Sequence, residues 1–82
     1  MPIIAAFYGV TVRMFYDEHN PPHFHASYQD YTAEFFMNGD LLKGDMPTKQ
    51  RKQITAWAKI HEEELLKNWM LMRKSEEPFR IN

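Results

Sequence analysis

The chain of 82 residues contains no cysteine and has only three glycines. The absence of cysteine excludes disulfide bonds and thiolate metal sites. No apolar run approaches the roughly 18 residues of a membrane-spanning helix, and the start Met1–Pro2–Ile3 lacks the basic and apolar segments of a signal peptide. We therefore expect a cytoplasmic protein that does not associate with a membrane.

An excess of charge of one sign is also missing, because 10 Lys+Arg residues stand against 11 Asp+Glu residues. This near-neutral balance does not indicate a nucleic-acid partner, since such partners usually bind to a basic surface. Residues 1–82 correspond to a single small domain, and domains of this size have a thin stability margin that a bound ligand or a second subunit increases. The sequence therefore predicts a homo-oligomer or a complex with a small partner protein.

The chain divides into two halves with different sequence patterns. Residues 1–46 are rich in aromatic and β-branched residues and contain turn signals, which is typical of short strands. Residues 48–73 contain neither glycine nor proline, and their apolar residues recur every three or four positions, as on one face of a helix. We predict an α+β fold: an antiparallel sheet of four or five strands in residues 1–46, one long helix in residues 47–74 packed across one face, and a tail in residues 75–82.

The length of this helix raises a question of fit. A helix of about 26 residues would be about 39 Å long, which exceeds the length of the sheet that it should cover. We therefore expect either a bend near His61 or an end that extends beyond the sheet to a partner. The apolar stripe expected to face the sheet consists of Ile54, Trp57, Ala58, His61, Leu65, Trp69 and Met72.

Two strands, beginning at His23 and at Tyr31, are predicted to form a hairpin with a defined register. In the register set by the Gln29–Asp30 turn, His25 pairs with Glu34 on the outer face, and the His23 and His25 side chains both point away from the core. The core face of this hairpin, which the helix covers, consists of Phe24, Ala26, Ala33 and Phe35.

A second hairpin is predicted at Asn38–Gly39, the strongest short turn signal in the chain. A two-residue turn there pairs Glu34 with Lys43 and Phe36 with Leu41. Two large apolar side chains would then lie side by side on the outer face of the sheet, which is typical of a contact with another protein. Arg13 and Phe15 should share this face. The candidate interface residues are Phe15, Phe36 and Leu41.

Three of the four histidines lie in the run from Asp17 to His25. Because His23 and His25 are two residues apart on a strand, their imidazoles lie on one face and could bind one metal ion or one phosphate group. His19, with Asp17 beside it on the loop, would close such a site around a divalent ion such as zinc. The metal ligands predicted are His19, His23 and His25.

Glu34, opposite His25, would act as a further ligand or would orient the imidazole. In the catalytic alternative, His23, His25 and Glu34 carry out acid–base chemistry while Arg13 and Lys43 bind an anionic substrate. In the simplest alternative, the histidines are ordinary polar residues on a solvated strand face.

Several segments also resemble a known family. They are Met1–Pro2, Phe7–Tyr8–Gly9, Arg13–Met14, the run from Asp17 to Ala26, the helix start Gly44–Asp45–x–Pro47, and Trp57, His61, Glu64–Leu65 and Asn68–Trp69. Together they resemble the bacterial domain-of-unknown-function family 4160. The resemblance implies a small stand-alone cytoplasmic protein, often encoded beside another small protein in an arrangement like that of toxin–antitoxin pairs. It supplies no catalytic residue.

Two functions follow as hypotheses. The first is a protein-interaction module that forms one half of a toxin–antitoxin-like or regulatory pair. The alternative is a small histidine-dependent phosphodiesterase or ribonuclease, with or without a metal ion. An exposed apolar patch on the outer face favours the module, whereas imidazoles that converge in a pocket favour the enzyme.

Overall fold

The computed structural model describes residues 2–81, so Met1 of the opening dipeptide and Asn82 of the tail lie outside the described residues. The elements in chain order are β1 (Ile3–Phe7), β2 (Val10–Arg13), β3 (His23–Tyr28), β4 (Tyr31–Phe36), β5 (Leu41–Gly44), α1 (Thr48–Ile60) and α2 (Glu62–Arg73). The five strands form one antiparallel sheet in the order β1-β2-β3-β4-β5. Both helices contribute to the core that covers one face of this sheet, which confirms the α+β class.

The prediction of one long helix is wrong, because the helix is interrupted at His61, whose φ is −111° and ψ is 18°. The longest dimension of the molecule is 34 Å, which is shorter than a straight helix of about 39 Å. The bend was one of the two expected alternatives. It lets both helices reach the same core, to which they contribute Ile54, Ala58, Leu65, Trp69 and Met72.

The break is also stabilised locally. The His61 imidazole and the Glu64 carboxylate share a hydrogen bond of 2.6 Å between Nδ1 and Oε1. Three glutamates occupy the first turn of α2, where the positive end of the helix dipole favours negative charge. Neither helix of the described chain has the length and apolarity needed to cross a membrane.

The predicted register of the β3–β4 hairpin is confirmed, since His25 lies opposite Glu34 and Phe24 lies opposite Phe35. The Phe24 and Phe35 rings stack with centroids 5.5 Å apart. All four residues predicted for the core face of the hairpin are buried, namely Phe24, Ala26, Ala33 and Phe35.

The predicted turn of the β4–β5 hairpin is wrong. The loop is Met37–Gly39 rather than Asn38–Gly39, because the Gly39 N–H donates to the Phe36 carbonyl at 2.9 Å and the Phe36 N–H donates to the Asp40 carbonyl at 2.9 Å. Gly39 adopts a φ of +97°, as the last residue of such a three-residue loop requires. The Thr55 hydroxyl of α1 donates to the Gly39 carbonyl at 2.7 Å and holds the turn against the helix.

This turn changes the pairing of β5. Glu34 still lies opposite Lys43, as predicted, but the register shifts between Glu34 and Phe35 and places Leu41 opposite Phe35. The predicted pair of Phe36 with Leu41 is therefore absent from the paired residues of these two strands.

The tail packs on the core rather than fraying. The fully buried Asn68 side chain donates through Nδ2 to the Phe79 carbonyl at 2.8 Å and accepts from the Phe79 N–H at 2.9 Å. The Ile81 N–H donates to the Ile4 carbonyl at 2.8 Å, and the Ile81 side chain is buried. The end of the described chain is thereby fixed beside β1.

Candidate metal centre

Four polar side chains lie in one row across the outer face of the sheet. Arg13 on β2 lies opposite His25 on β3, His25 lies opposite Glu34 on β4, and Glu34 lies opposite Lys43 on β5. All four residues line an open groove of about 280 Å³. The sequence prediction that these residues share a face is therefore confirmed.

His23 lies at the start of β3 and is only 6% exposed. Its Nδ1 lies 2.8 Å from the Pro21 carbonyl oxygen. Because a carbonyl oxygen can only accept, Nδ1 carries the hydrogen, and Nε2 is the ring nitrogen that could bind a metal ion. That Nε2 atom lies 3.4 Å from Glu18 Oε2 and 3.7 Å from Glu34 Oε1.

The structure corrects the expectation that the His23 side chain points away from the core. Its ring centroid lies 5.3 Å from that of His25 and 5.4 Å from that of Trp69, a core residue of α2. His23 does not simply point away from the core, because one side of its ring contacts the helix layer. His25 is half-buried and has the Phe15 ring edge-on at a centroid distance of 4.4 Å.

Glu18 joins the two histidines. Its Oε1 lies 2.5 Å from His25 Nε2 while its Oε2 lies 3.4 Å from His23 Nε2. One potential ligand atom from each of Glu18, His23 and His25 lies within 4.8 Å of the other two. In the described part of the chain, these three residues form the cluster that could hold a metal ion. The Glu18 carboxylate thus contacts both imidazoles.

Sequence reasoning missed Glu18 and named its neighbours instead. His19, a predicted metal ligand, is exposed and lies outside this group, as does the exposed Asp17. Neighbouring side chains of an extended segment point in opposite directions, so only the path of the loop decides which of the three residues faces the site. In the structure, Glu18 occupies the place expected for His19.

This donor set fits a divalent metal ion. Two imidazole nitrogens and one carboxylate, with a further position left for water or substrate, are the ligands of several catalytic zinc sites. The hydrogen bond from His23 Nδ1 to a backbone carbonyl is the support that metal-bound histidines usually have. Metal binding would displace the hydrogen shared by His25 Nε2 and Glu18, since the ligand atom must be unprotonated.

Leu41, one of the three predicted interface residues, lies on the helix side of the sheet and not on the outer face, since it lines a groove with Thr55 of α1. Phe15 contacts the His25 ring, Phe36 is half-buried, and Leu41 is 37% exposed but pairs with Phe35 rather than Phe36.

Comparisons with known proteins give one match. The sequence model of the family described as "Domain of unknown function (DUF4160)" matches residues 9–70, which include the row of four polar residues and the three residues of the candidate metal centre. No curated protein and no solved structure matches the chain significantly.

Proposed function

Since the chain belongs to the DUF4160 family, whose description gives no activity, we propose from the geometry that it is a divalent-metal-dependent hydrolase of phosphodiester bonds. The observation that carries the proposal is the convergence of Glu18, His23 and His25 within 4.8 Å. The convergence of two imidazoles, one of which (His25) lines the groove, favours an enzyme over a solvated strand face.

The groove also offers groups that would bind an anionic substrate. Arg13 donates to the Ser27 hydroxyl from Nη1 at 3.2 Å, and its guanidinium has further N–H groups that can bind phosphate oxygens. Lys43 lines the same groove on the far side of His25 and Glu34. A phosphate bound between these two cations would lie over the face that carries the candidate metal ligands.

In the proposed hydrolysis, each of these residues has a separate role. A bound divalent ion would supply Lewis acidity and a more acidic water molecule. Glu34, whose Oε1 lies 3.7 Å from His23 Nε2, accepts a proton from the water whose oxygen forms the new bond to phosphorus. The ester P–O bond breaks, and the Lys43 ammonium donates a proton to the departing oxygen. Arg13 stabilises the charge on the non-bridging oxygens.

The interaction-module hypothesis remains a prediction, together with a bacterial origin, a cytoplasmic location and a partner in a toxin–antitoxin-like pair. Its specific basis was an apolar outer patch formed by Phe36 and Leu41. The register shift in β5 separates this pair, whereas the candidate metal ligands converge. The enzyme hypothesis therefore has the stronger support.

A cleavage assay tests the proposal. Protein purified without a His tag and stripped with a chelator is incubated with bis(p-nitrophenyl) phosphate or a labelled RNA, alone and with zinc, manganese or magnesium. We expect cleavage with at least one ion, a loss of about 10²- to 10⁴-fold in rate for Glu34→Gln, and full activity for the exposed control His19→Gln. No cleavage by the parent protein with any ion, or equal rates for both variants, would refute the proposal.

A further inference from the structure

The solvent-facing side of α2 carries two large apolar side chains. Leu66 is 39% exposed and Met70 is 58% exposed. Glu63 and Arg73 are exposed on the same side, one at each end of the helix. The four residues follow one another at intervals of three, four and three positions, which is the spacing of residues along the contact line of two packed helices.

The order of charges along this stripe makes it complementary to itself. It reads acidic, apolar, apolar, basic from Glu63 through Leu66 and Met70 to Arg73. When two identical copies meet in antiparallel orientation about a twofold axis, every contact occurs twice. Glu63 then lies opposite Arg73 of the partner subunit, and Leu66 lies opposite Met70 of the partner subunit. A parallel arrangement would instead bring the two Glu63 carboxylates together.

We infer that a second copy of this chain binds along α2, with the two α2 helices antiparallel. The inference does not depend on the proposed catalytic function, because none of its residues belongs to the candidate metal centre. The dipoles of antiparallel helices also attract, since the acidic first turn of each helix lies beside the basic last turn of the other. The contact is a single helix of 12 residues per copy, so we expect a weak, reversible dimer.

Sedimentation equilibrium over about 1 to 500 μM protein tests this dimer, a range that covers micromolar dissociation constants. We expect a concentration-dependent dimer for the parent protein and a monomer throughout for Leu66→Glu. Leu41→Glu is the matched control: it places the same charge on a similarly exposed leucine that lies beside α1 rather than α2, and it should leave the dimer intact. A purely monomeric parent protein, or dissociation by Leu41→Glu and not by Leu66→Glu, would overturn the inference.

A charge exchange tests the orientation. Glu63→Arg alone and Arg73→Glu alone each create two like-charge contacts in the dimer and should raise its dissociation constant several-fold. An equimolar mixture of the two variants should associate better than either variant alone, because both charge pairs of the mixed dimer join opposite charges. The introduced arginine faces the introduced glutamate, and the unchanged arginine faces the unchanged glutamate. If the mixture associates no better than the single variants, the antiparallel arrangement is wrong.

Discussion

The ring centroids of His23 and Trp69 lie 5.4 Å apart, so a candidate metal ligand of the outer sheet face contacts a side chain of the helical core. Trp69 is only 6% exposed and belongs to the same core cluster as Leu65. Because of this contact, the position of the His23 imidazole depends on the packing of α2 as well as on the hydrogen bond to Pro21. The core and the candidate site are thus physically linked.

The first prediction concerns the protein without metal. His23→Gln should lower the free energy of unfolding by about 1 to 3 kcal/mol, because it removes the hydrogen bond to Pro21 and the contact with Trp69 at a buried position. His25→Gln should cost less, since His25 is half-buried. Urea denaturation in the presence of a chelator measures both values. Equal costs for the two variants would contradict the larger contribution expected from the buried His23.

The second prediction concerns metal binding. At about 100 times its dissociation constant, a divalent ion that binds only the folded protein should add roughly 2.7 kcal/mol of stability. For a domain of this size, the melting temperature should then rise by about 10 to 20 °C. Glu18→Gln should abolish the rise, whereas His19→Gln, one residue away and exposed, should retain it. A rise that survives Glu18→Gln but not His19→Gln would restore the ligand set predicted from the sequence.

A third prediction uses two glycines with positive φ. An added Cβ at Gly39 would lie 2.8 Å from the Thr55 backbone carbonyl oxygen, whereas at Gly9 it would meet only the Tyr28 side chain at 3.2 Å. Gly9→Ala should therefore cost about 1 to 3 kcal/mol from backbone strain alone. Gly39→Ala should cost about 1 to 3 kcal/mol more, since helix α1 must also move. Comparable thermal denaturation midpoints for the two variants would contradict the close approach of turn and helix.

The fourth prediction concerns the tail. Asn68→Leu should lower stability by about 2 to 4 kcal/mol, because it leaves both the N–H and the carbonyl of Phe79 without their partner. Asn68→Asp keeps the shape and the acceptor for the N–H but places an oxygen against the carbonyl oxygen, so it should not rescue the loss. Chemical denaturation gives the stabilities, and trypsin digestion after the exposed Lys74 should accelerate in both variants.

Much of the sheet could be predicted from the sequence because side chains alternate along a strand and a short turn fixes the register. This reasoning correctly placed His25 opposite Glu34 and Phe24 opposite Phe35. It was wrong at Asn38–Gly39, where a three-residue loop forms instead of the two-residue loop. The Thr55 hydroxyl of α1 donates to the Gly39 carbonyl of this loop, a contact between distant residues that no local pattern specifies.

The candidate site was predictable only in part, for a similar reason. His23 and His25 belong to a strand, where the direction of each side chain follows from its position. Glu18 belongs to a loop, whose path depends on contacts that no local pattern specifies. The helix break at His61 was expected only from length, since neither glycine nor proline marks it.

The backbone hydrogen bond from Ile81 to Ile4 has a consequence for the order of folding. Each strand of the sheet pairs with the next one in the chain, and such local pairing favours rapid folding. The Ile81–Ile4 hydrogen bond instead joins the two ends of the described chain. Closing so long a loop costs more chain entropy than forming a hairpin does. We expect the tail to dock last, so that in pulsed hydrogen exchange the Ile81 amide becomes protected after the amides of β3 and β4. Protection of Ile81 first would show that the chain ends meet before the hairpins form.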